Sequence, residues 1–301
     1  MKRDFLRLFD LSKTEIDKII KRTAILKKSR GKKIKTSPLK NKTVALIFEK
    51  SSTRTRVSFE VGVYELGGHS IFLSPRDLQM GRGEPIKDTA RVLSRYVHLI
   101  IYRCFEHSKL EELAKYSSCP VINGLSDLTH PVQVLSDLFT IYEHFGDYKK
   151  LNISWIGDGN NMANAWIEAH IILGFNLTIA CPKKYYPDEV LLKKAMKNKN
   201  FKITEDPEEA VKSADVVNTD VWISMGDEEE AEERKKAFKG YQINKKLLKL
   251  ANKNAIVLHC LPAYRGQEIT EDIIEDKKSV IFTQAENRLH TQKALMEFLL
   301  K

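Results

Sequence analysis

Ser52-Thr53-Arg54-Thr55-Arg56 concentrates hydroxyl side chains and two guanidinium groups in five residues. The apolar run Val44-Ala45-Leu46-Ile47-Phe48 precedes it, and an amphipathic run from Val57 to Leu66 follows, stopping at Gly67-Gly68. That order reads as strand, short loop, helix. The first N–H groups of a helix lack internal partners, and the macrodipole adds partial positive charge there. Free N–H groups, hydroxyls and arginines together make a phosphate seat. It is not a P-loop, because the spaced glycines and the Gly-Lys-Ser/Thr ending are missing. The plainer alternative is a Ser/Thr N-cap followed by two surface arginines. Lys50, a further cation just upstream, favours the anion.

Six further polar groups stand where strands are expected to end, the position at which parallel sheets bind ligands. They are Arg103, His130-Pro131-Val132-Gln133, Asn160-Asn161 after Gly157-Asp158-Gly159, Asp220 to Gly226, His259-Cys260-Leu261-Pro262, and Arg288. Their number suggests one cleft between two domains. Each also has a plain reading. His130-Pro131 is equally a helix start with proline at its first position. Gly157-Asp158-Gly159 invites a dinucleotide, but Met162 stands where a third glycine belongs. The next strand ends in Ala180-Cys181-Pro182 with no acidic residue for a ribose. His259 and Cys260 are strand neighbours on opposite faces, so they form no dyad. A buried inert thiol remains open for Cys260, and Cys104, Cys119 and Cys181 read as packing.

The elements that must position these groups alternate between short β-branched runs and helical patterns, which predicts βαβ units and parallel sheets. Strands are expected at Thr43–Phe48, His69–Leu73, Leu99–Tyr102 and Val121–Asn123. In the second half they are expected at Asn152–Ile156, Leu177–Cys181, Phe201–Thr204, Asp215–Thr219, Ala255–His259 and Val280–Phe282. Helices are expected near Arg56–Leu66, Ile86–Tyr96, Ser108–Tyr116, Val132–Phe145, Asn161–Leu173, Asp188–Asn198, Pro207–Ser213, Asn244–Ala251 and Ala285–Lys301. Asp227 to Lys236 reads as a mobile loop or a short exposed helix. The polar break Gly146 to Lys150 puts a boundary near 135–150.

A chain of 301 residues is long for one core, so two domains are expected. Apolar content of 42% with 30% charged residues describes a soluble globular protein. No apolar run reaches the ~18 residues of a membrane span, and the start lacks the apolar region of a signal peptide. The four cysteines show neither CxxC nor zinc-finger spacing, which predicts reduced thiols and a cytoplasmic location. The charge of +10 fits either nucleic acid or a funnel for small anions. Much of it lies in Lys27 to Lys33, without the interleaved aromatics of a stacking platform, and reads as solvated surface.

Phe48-Glu49-Lys50-Ser51-Ser52-Thr53-Arg54-Thr55-Arg56, Gln79-Met80-Gly81-Arg82-Gly83-Glu84 and Asp88-Thr89-Ala90-Arg91 resemble the carbamoyl-phosphate domain of the carbamoyltransferases. His130-Pro131-Val132-Gln133 resembles their His-Pro-x-Gln element. In the second half, Gly157 to Asn161, Asp220 to Gly226, His259 to Pro262 and Ala285 to Arg288 are similar to the ornithine branch of that family. The resemblance covers the chain in order; Tyr264, where a histidine is common, is a small departure.

The resemblance implies an α/β fold of two domains, each a central parallel sheet flanked by helices, joined by an interdomain helix. The domains would be 1–135 for carbamoyl phosphate and 136–284 for ornithine, with helix 285–301 packing back on the first. It implies carbamoyl transfer from carbamoyl phosphate to the δ-amine of L-ornithine, in arginine biosynthesis, with no metal and no cofactor. Ser52, Thr53, Arg54, Thr55, Gln79, Arg103, His130, Gln133, Cys260, Leu261 and Arg288 would bind carbamoyl phosphate. Arg54, Arg103, His130 and Cys260 would be catalytic. Asn161, Asp220, Ser224 and Met225 would bind ornithine, with Cys260 and the Leu261 carbonyl at its δ-amine. A homotrimer, no nucleic acid and no membrane are implied, and loop 224–240 would move over ornithine. The rivals are transfer to putrescine, acetylornithine or aspartate, a degradative ornithine enzyme, a non-catalytic regulatory relative, and a basic nucleic-acid-binding protein.

Overall fold

Val44 to Phe48 and Leu99 to Arg103 are buried throughout, so each must be covered on both sides, as central strands of a parallel sheet are. The structure, a computed structural model, describes residues 2–32, 37–224, 226 and 228–301. The chain divides into two units, residues 1–139 with 286–301 and residues 140–285.

The first unit contains α1 (Lys13–Lys28), β1 (Thr43–Phe48), α2 (Thr53–Glu65), β2 (His69–Leu73), α3 (Ile86–Tyr96), β3 (Leu99–Arg103), α4 (His107–Tyr116) and β4 (Val121–Leu125). The division between the units falls inside α5 (Pro131–Phe145). All pairings in the first sheet are parallel, in the order β2-β1-β3-β4. Ala45, Ile47, Ile100, Tyr102 and Val121 form one buried cluster with Ala90 of α3 and Leu110 and Leu113 of α4. That burial is the main stabilising term for this layer.

The second unit contains β5 (Asn152–Ile156), α6 (Asn161–Leu173), β6 (Asn176–Ala180), α7 (Glu189–Ala195), β7 (Phe201–Thr204), α8 (Pro207–Val211), β8 (Val216–Thr219), α9 (Ala231–Ala237), α10 (Lys245–Leu248), β9 (Ile256–His259) and α11 (Glu271–Ile274). Its sheet, also parallel, has the order β7-β6-β5-β8-β9. The last helix, α12 (Ile281–Leu299), crosses the second division point after Ala285.

From Glu286 onward α12 belongs to the first unit and packs on α2, as expected of the last helix. Gly62 makes the approach possible: a Cβ there would lie 3.3 Å from Lys293 Cγ and 3.4 Å from Met296 Cε. Lys293, fully buried, pairs with Glu65 at 2.6 Å on the same helix pair.

Two expectations change, and a third resolves to one of its alternatives. Val280–Phe282 is not a strand: Ser279 makes an isolated bridge to Val257, and α12 begins at Ile281. Three apolar residues are too few for periodicity to separate a strand from a helix start. The expected helix at Arg56 begins at Thr53, because Ser52 Oγ accepts from Thr55 N at 3.3 Å and caps it. Residues 231–237 of the charged segment are helix α9, and its Arg234 is buried.

Candidate active site

The strand order in the first sheet reverses between β1 and β3, the switch point at which open parallel sheets leave a crevice beyond the strand ends. Ser52 follows β1, and Arg103 ends β3. Arg103 is offset in register, pairing with Leu125 while Tyr102 pairs with Asn123. The skipped residue is Gly124, whose Cβ would meet Arg103 Cβ at 3.4 Å. Such a bulge redirects the side chain beside it.

Because α2 starts at Thr53, the N–H groups of its first turn are among those a helix cannot pair internally. Thr55, buried in that turn, accepts from Arg288 Nη2 at 2.6 Å through its hydroxyl. Arg54 is half-buried and Thr53 exposed. Arg56 does not join them. Its guanidinium carbon lies 3.5 Å from the centre of the Phe72 ring, and Nε donates to Glu60 at 3.1 Å. Lys50 is likewise engaged elsewhere, paired with Asp127 and 4.1 Å from the Phe105 ring centre. The candidate anion seat is therefore Ser52 to Thr55 with Arg288, narrower than the sequence suggests.

His130 and Gln133, both buried, enter at the start of α5. Burial pushes the His130 imidazole well below its ordinary value, and the positive charges of Arg288 and Arg103 push it further. It is a neutral ring beside two cations. Gln133 Nε2 donates to Asp137 Oδ1 at 2.9 Å. A carboxylate only accepts, so this bond fixes the amide's orientation. Gln133 Oε1 is left buried with no hydrogen-bond partner among the described residues, an acceptor suited to an N–H₂ group. Cations, a neutral imidazole and an amide acceptor together suit a small anion carrying a carbonyl and an amide. Gln79 is exposed, in the 3-10 helix Gln79–Arg82, and among the described residues no hydrogen bond ties its side chain to this group.

In the second sheet the order reverses between β5 and β8. Gly157 to Asn161 follow β5, and Asp220 to Ser224 follow β8. Asn160 caps α6, accepting from Met162 N at 2.9 Å and Ala163 N at 3.3 Å. Its Nδ2 donates to Asp220 Oδ2 at 3.1 Å, and Asn161 is the first residue of the helix. Asp220 Oδ1 accepts from Val221 N at 2.8 Å and from the Cys260 thiol at 3.0 Å. A carboxylate oriented by three donors suits an ammonium, and Asn161 and Ser224 lie on the same two segments as its partners Asn160 and Val221. Met225 lies outside the described residues.

Cys260 and Leu261 follow β9. Leu261 has φ 60°, a left-handed conformation that costs a branched residue about 1–2 kcal/mol. His259 steadies it: Nδ1 accepts from Leu261 N at 2.9 Å, so the proton sits on Nε2, which donates to Glu268 at 3.0 Å. The same Glu268 oxygen accepts from Tyr264 N at 2.7 Å. Asp220, His259 and Cys260 bring ligand-type atoms within 4.8 Å of one another. Both ring nitrogens of His259 are taken, however, so the imidazole offers an ion no lone pair. Cys104 and Cys181 are buried, and burial pushes both thiols up, Cys104 to about 12, which leaves them inert.

The sequence reading missed four of these links: Thr55 to Arg288, Gln133 to Asp137, Asn160 to Asp220, and Glu268 to His259. Only the second had a local signal, the i, i+4 spacing on one helix.

Residues 3–143 match the family model described as aspartate/ornithine carbamoyltransferase, carbamoyl-P binding domain. Residues 149–299 match the model described as aspartate/ornithine carbamoyltransferase, Asp/Orn binding domain. An ornithine carbamoyltransferase of Geobacter metallireducens is 54% identical over 303 residues, covering 100% of both chains. One of Archaeoglobus fulgidus is 52% identical over 299 residues, covering 99% of this chain and 97% of its own. Among solved structures, the ornithine carbamoyltransferase from Pyrococcus furiosus superposes with a TM-score of 0.95 at 48% identity, covering 99% of this chain and 97% of that one. The anabolic enzyme from Campylobacter jejuni gives 0.93 at 47%, covering 99% of each.

Proposed function

Since the chain belongs to the aspartate/ornithine carbamoyltransferase family, we propose that it moves the carbamoyl group of carbamoyl phosphate to the δ-amine of L-ornithine, giving L-citrulline and phosphate. The observation that carries the acceptor is Asp220, a carboxylate held by Asn160, Val221 and Cys260, in a chain about half identical to ornithine enzymes along its whole length.

Ser52, Thr53, Arg54 and Thr55 take the phosphate, with Arg288 beside Thr55. Arg103 and neutral His130 polarise the carbamoyl oxygen, and Gln133 Oε1 accepts from the carbamoyl N–H₂. Asn161 takes the α-carboxylate of ornithine, and Asp220 and Ser224 its α-ammonium, with Met225 assigned by resemblance. Cys260 and the Leu261 carbonyl attend the δ-amine. The neutral amine attacks the carbonyl carbon, forming C–N and a tetrahedral centre. The C–O bond to phosphate then breaks, and the amine's proton ends on the departing phosphate. Donors fixed before the charge develops contribute about 2.7–4 kcal/mol each to such a step.

A role in arginine biosynthesis, a cytoplasmic site and a homotrimer are parts of the same reading. No helix among the described residues is long and apolar enough to cross a membrane. Val57, Tyr64 and Ile71, exposed on α2 and the edge strand β2, give the first unit apolar surface for self-association. Gln79, exposed in the structure, is assigned to carbamoyl phosphate by resemblance. The test is a panel of acceptors: ornithine, putrescine, acetylornithine and aspartate, with carbamoyl phosphate and a citrulline assay. Ornithine is expected to dominate, and no product from it would overturn the proposal.

A further inference from the structure

Arg234 of α9 is buried, although it lies in the most charged segment of the chain. Its Nη1 donates to Asp158 Oδ2 at 2.9 Å and to the Trp222 carbonyl at 3.1 Å. The guanidinium carbon lies 4.8 Å from the centre of the Tyr185 ring, and Glu230 stands 3.4 Å from Nε. One planar cation thus joins two separate stretches of chain, one through the Asp158 side chain and one through the Trp222 carbonyl.

Both stretches carry residues assigned above to the amino-acid substrate. Asp158 sits in the Gly157–Asn161 turn. Its carbonyl accepts from Trp155 Nε1 at 2.9 Å, and the next residue, Gly159, donates to Tyr185 O at 3.0 Å. Trp222 lies between Asp220 and Ser224, its ring stacked on Phe238 at 6.0 Å and 15°. Burying an ion pair adds little net stability over well-packed apolar groups, whereas breaking one strands a buried charge. The consequence of this pair is therefore geometric. The guanidinium fork is directional, and it fixes the span from the Asn161 turn to the Asp220–Ser224 segment.

We propose that Arg234 is a positioning residue for the acceptor: with Asp158, it sets the spacing between the group that takes the α-carboxylate and those that take the α-ammonium. In this role Arg234 acts through Asp158 and Trp222 and not on the substrate itself. The inference rests on the ornithine reading above and adds to it a residue that no local motif marks.

The test uses the full chain with Arg234→Met, Arg234→Lys and Asp158→Asn. Arg234→Met is expected to lower kcat/KM for ornithine on the order of 10²-fold, mostly through KM, as an ångström-scale misplacement does. KM for carbamoyl phosphate should stay unchanged. Arg234→Lys, which keeps the charge and loses the planar fork, should fall between. Without substrate, amide hydrogen exchange in Arg234→Met should quicken at 158–161 and 220–224 together. An unchanged ornithine KM in a folded variant, or an equal rise for both substrates, would overturn the proposal. If Arg234→Met does not fold, Asp158→Asn carries the same comparison. If the wild-type chain makes no citrulline, the ornithine reading fails, and the paired exchange result still decides whether Arg234 couples the two segments.

Discussion

Arg288 Nη2 donates to Thr55 Oγ1 at 2.6 Å, joining α12 to the first turn of α2 across 233 residues of sequence. The bond presents a cation at the helix N-terminus, where the unpaired N–H groups already favour an anion.

Replacing Arg288 by Met should therefore weaken carbamoyl phosphate specifically. A hydrogen bond to a charged group contributes about 1.5–3 kcal/mol, so its KM should rise roughly 10- to 100-fold. The KM for ornithine should not move. Initial rates with each substrate varied in turn decide it, and an equal change in both would count against the assignment.

His130 gives a pH signature in stability. Its folded value lies below the ordinary one, so the unfolded chain takes up the proton first. The stability this residue contributes is present above about pH 6.5, the ordinary value, and is lost as pH falls toward the folded one. Denaturant unfolding of wild type and His130→Gln should diverge below that pH, wild type losing more. Parallel curves would contradict the neutral, buried ring.

The nucleophile gives another. A δ-amine like that of lysine has a pKa near ~10.4, so its neutral fraction grows about tenfold per pH unit through neutrality. The kcat/KM for ornithine should follow that slope. A flat profile between neutral and mildly alkaline pH would mean that deprotonation of the free amine does not limit capture.

Asp220→Asn removes the charge proposed to face the α-ammonium while keeping an acceptor for Cys260. The loss of a charged hydrogen bond predicts roughly 10- to 100-fold in ornithine KM. Competitive inhibition by inorganic phosphate against carbamoyl phosphate should be unaltered. A weaker phosphate constant would show that the change had spread to the first unit.

Gly159 is a steric prediction. A Cβ there would lie 2.3 Å from Pro187 N and from Tyr185 O, backbone atoms that cannot rotate away. Gly159→Ala should cost about 3 kcal/mol or more, at the upper end for overpacking. Thermal unfolding measures it, and a wild-type midpoint would show that the turn can yield.

The sheets are legible in the sequence because their strands are short apolar runs, rich in β-branched and aromatic residues, with little competition from helix periodicity. Thr43–Phe48 and Asn152–Ile156 match to the residue. The start of α2 was misjudged because its cap, Ser52, belongs to the same hydroxyl run read as a loop. The site residues were legible as motifs, but their couplings were not. Thr55 and Arg288 lie 233 positions apart, and nothing local announces that they meet. By sequence Lys50 and Arg56 belong to the anion seat, whereas in the fold Asp127 and Phe72 occupy them. Charge is visible in a sequence, whereas its compensation depends on folding.

The first unit is interrupted in sequence by the whole of the second, since residues 286–301 rejoin residues 1–139. During synthesis, everything from Ser52 to Gln133 leaves the ribosome before the last donor cation exists. The second unit can be complete while the first still lacks Arg288, Lys293 and the partner for Gly62. A nascent chain that has not reached Arg288 therefore holds the first turn of α2 without the cation that bonds Thr55.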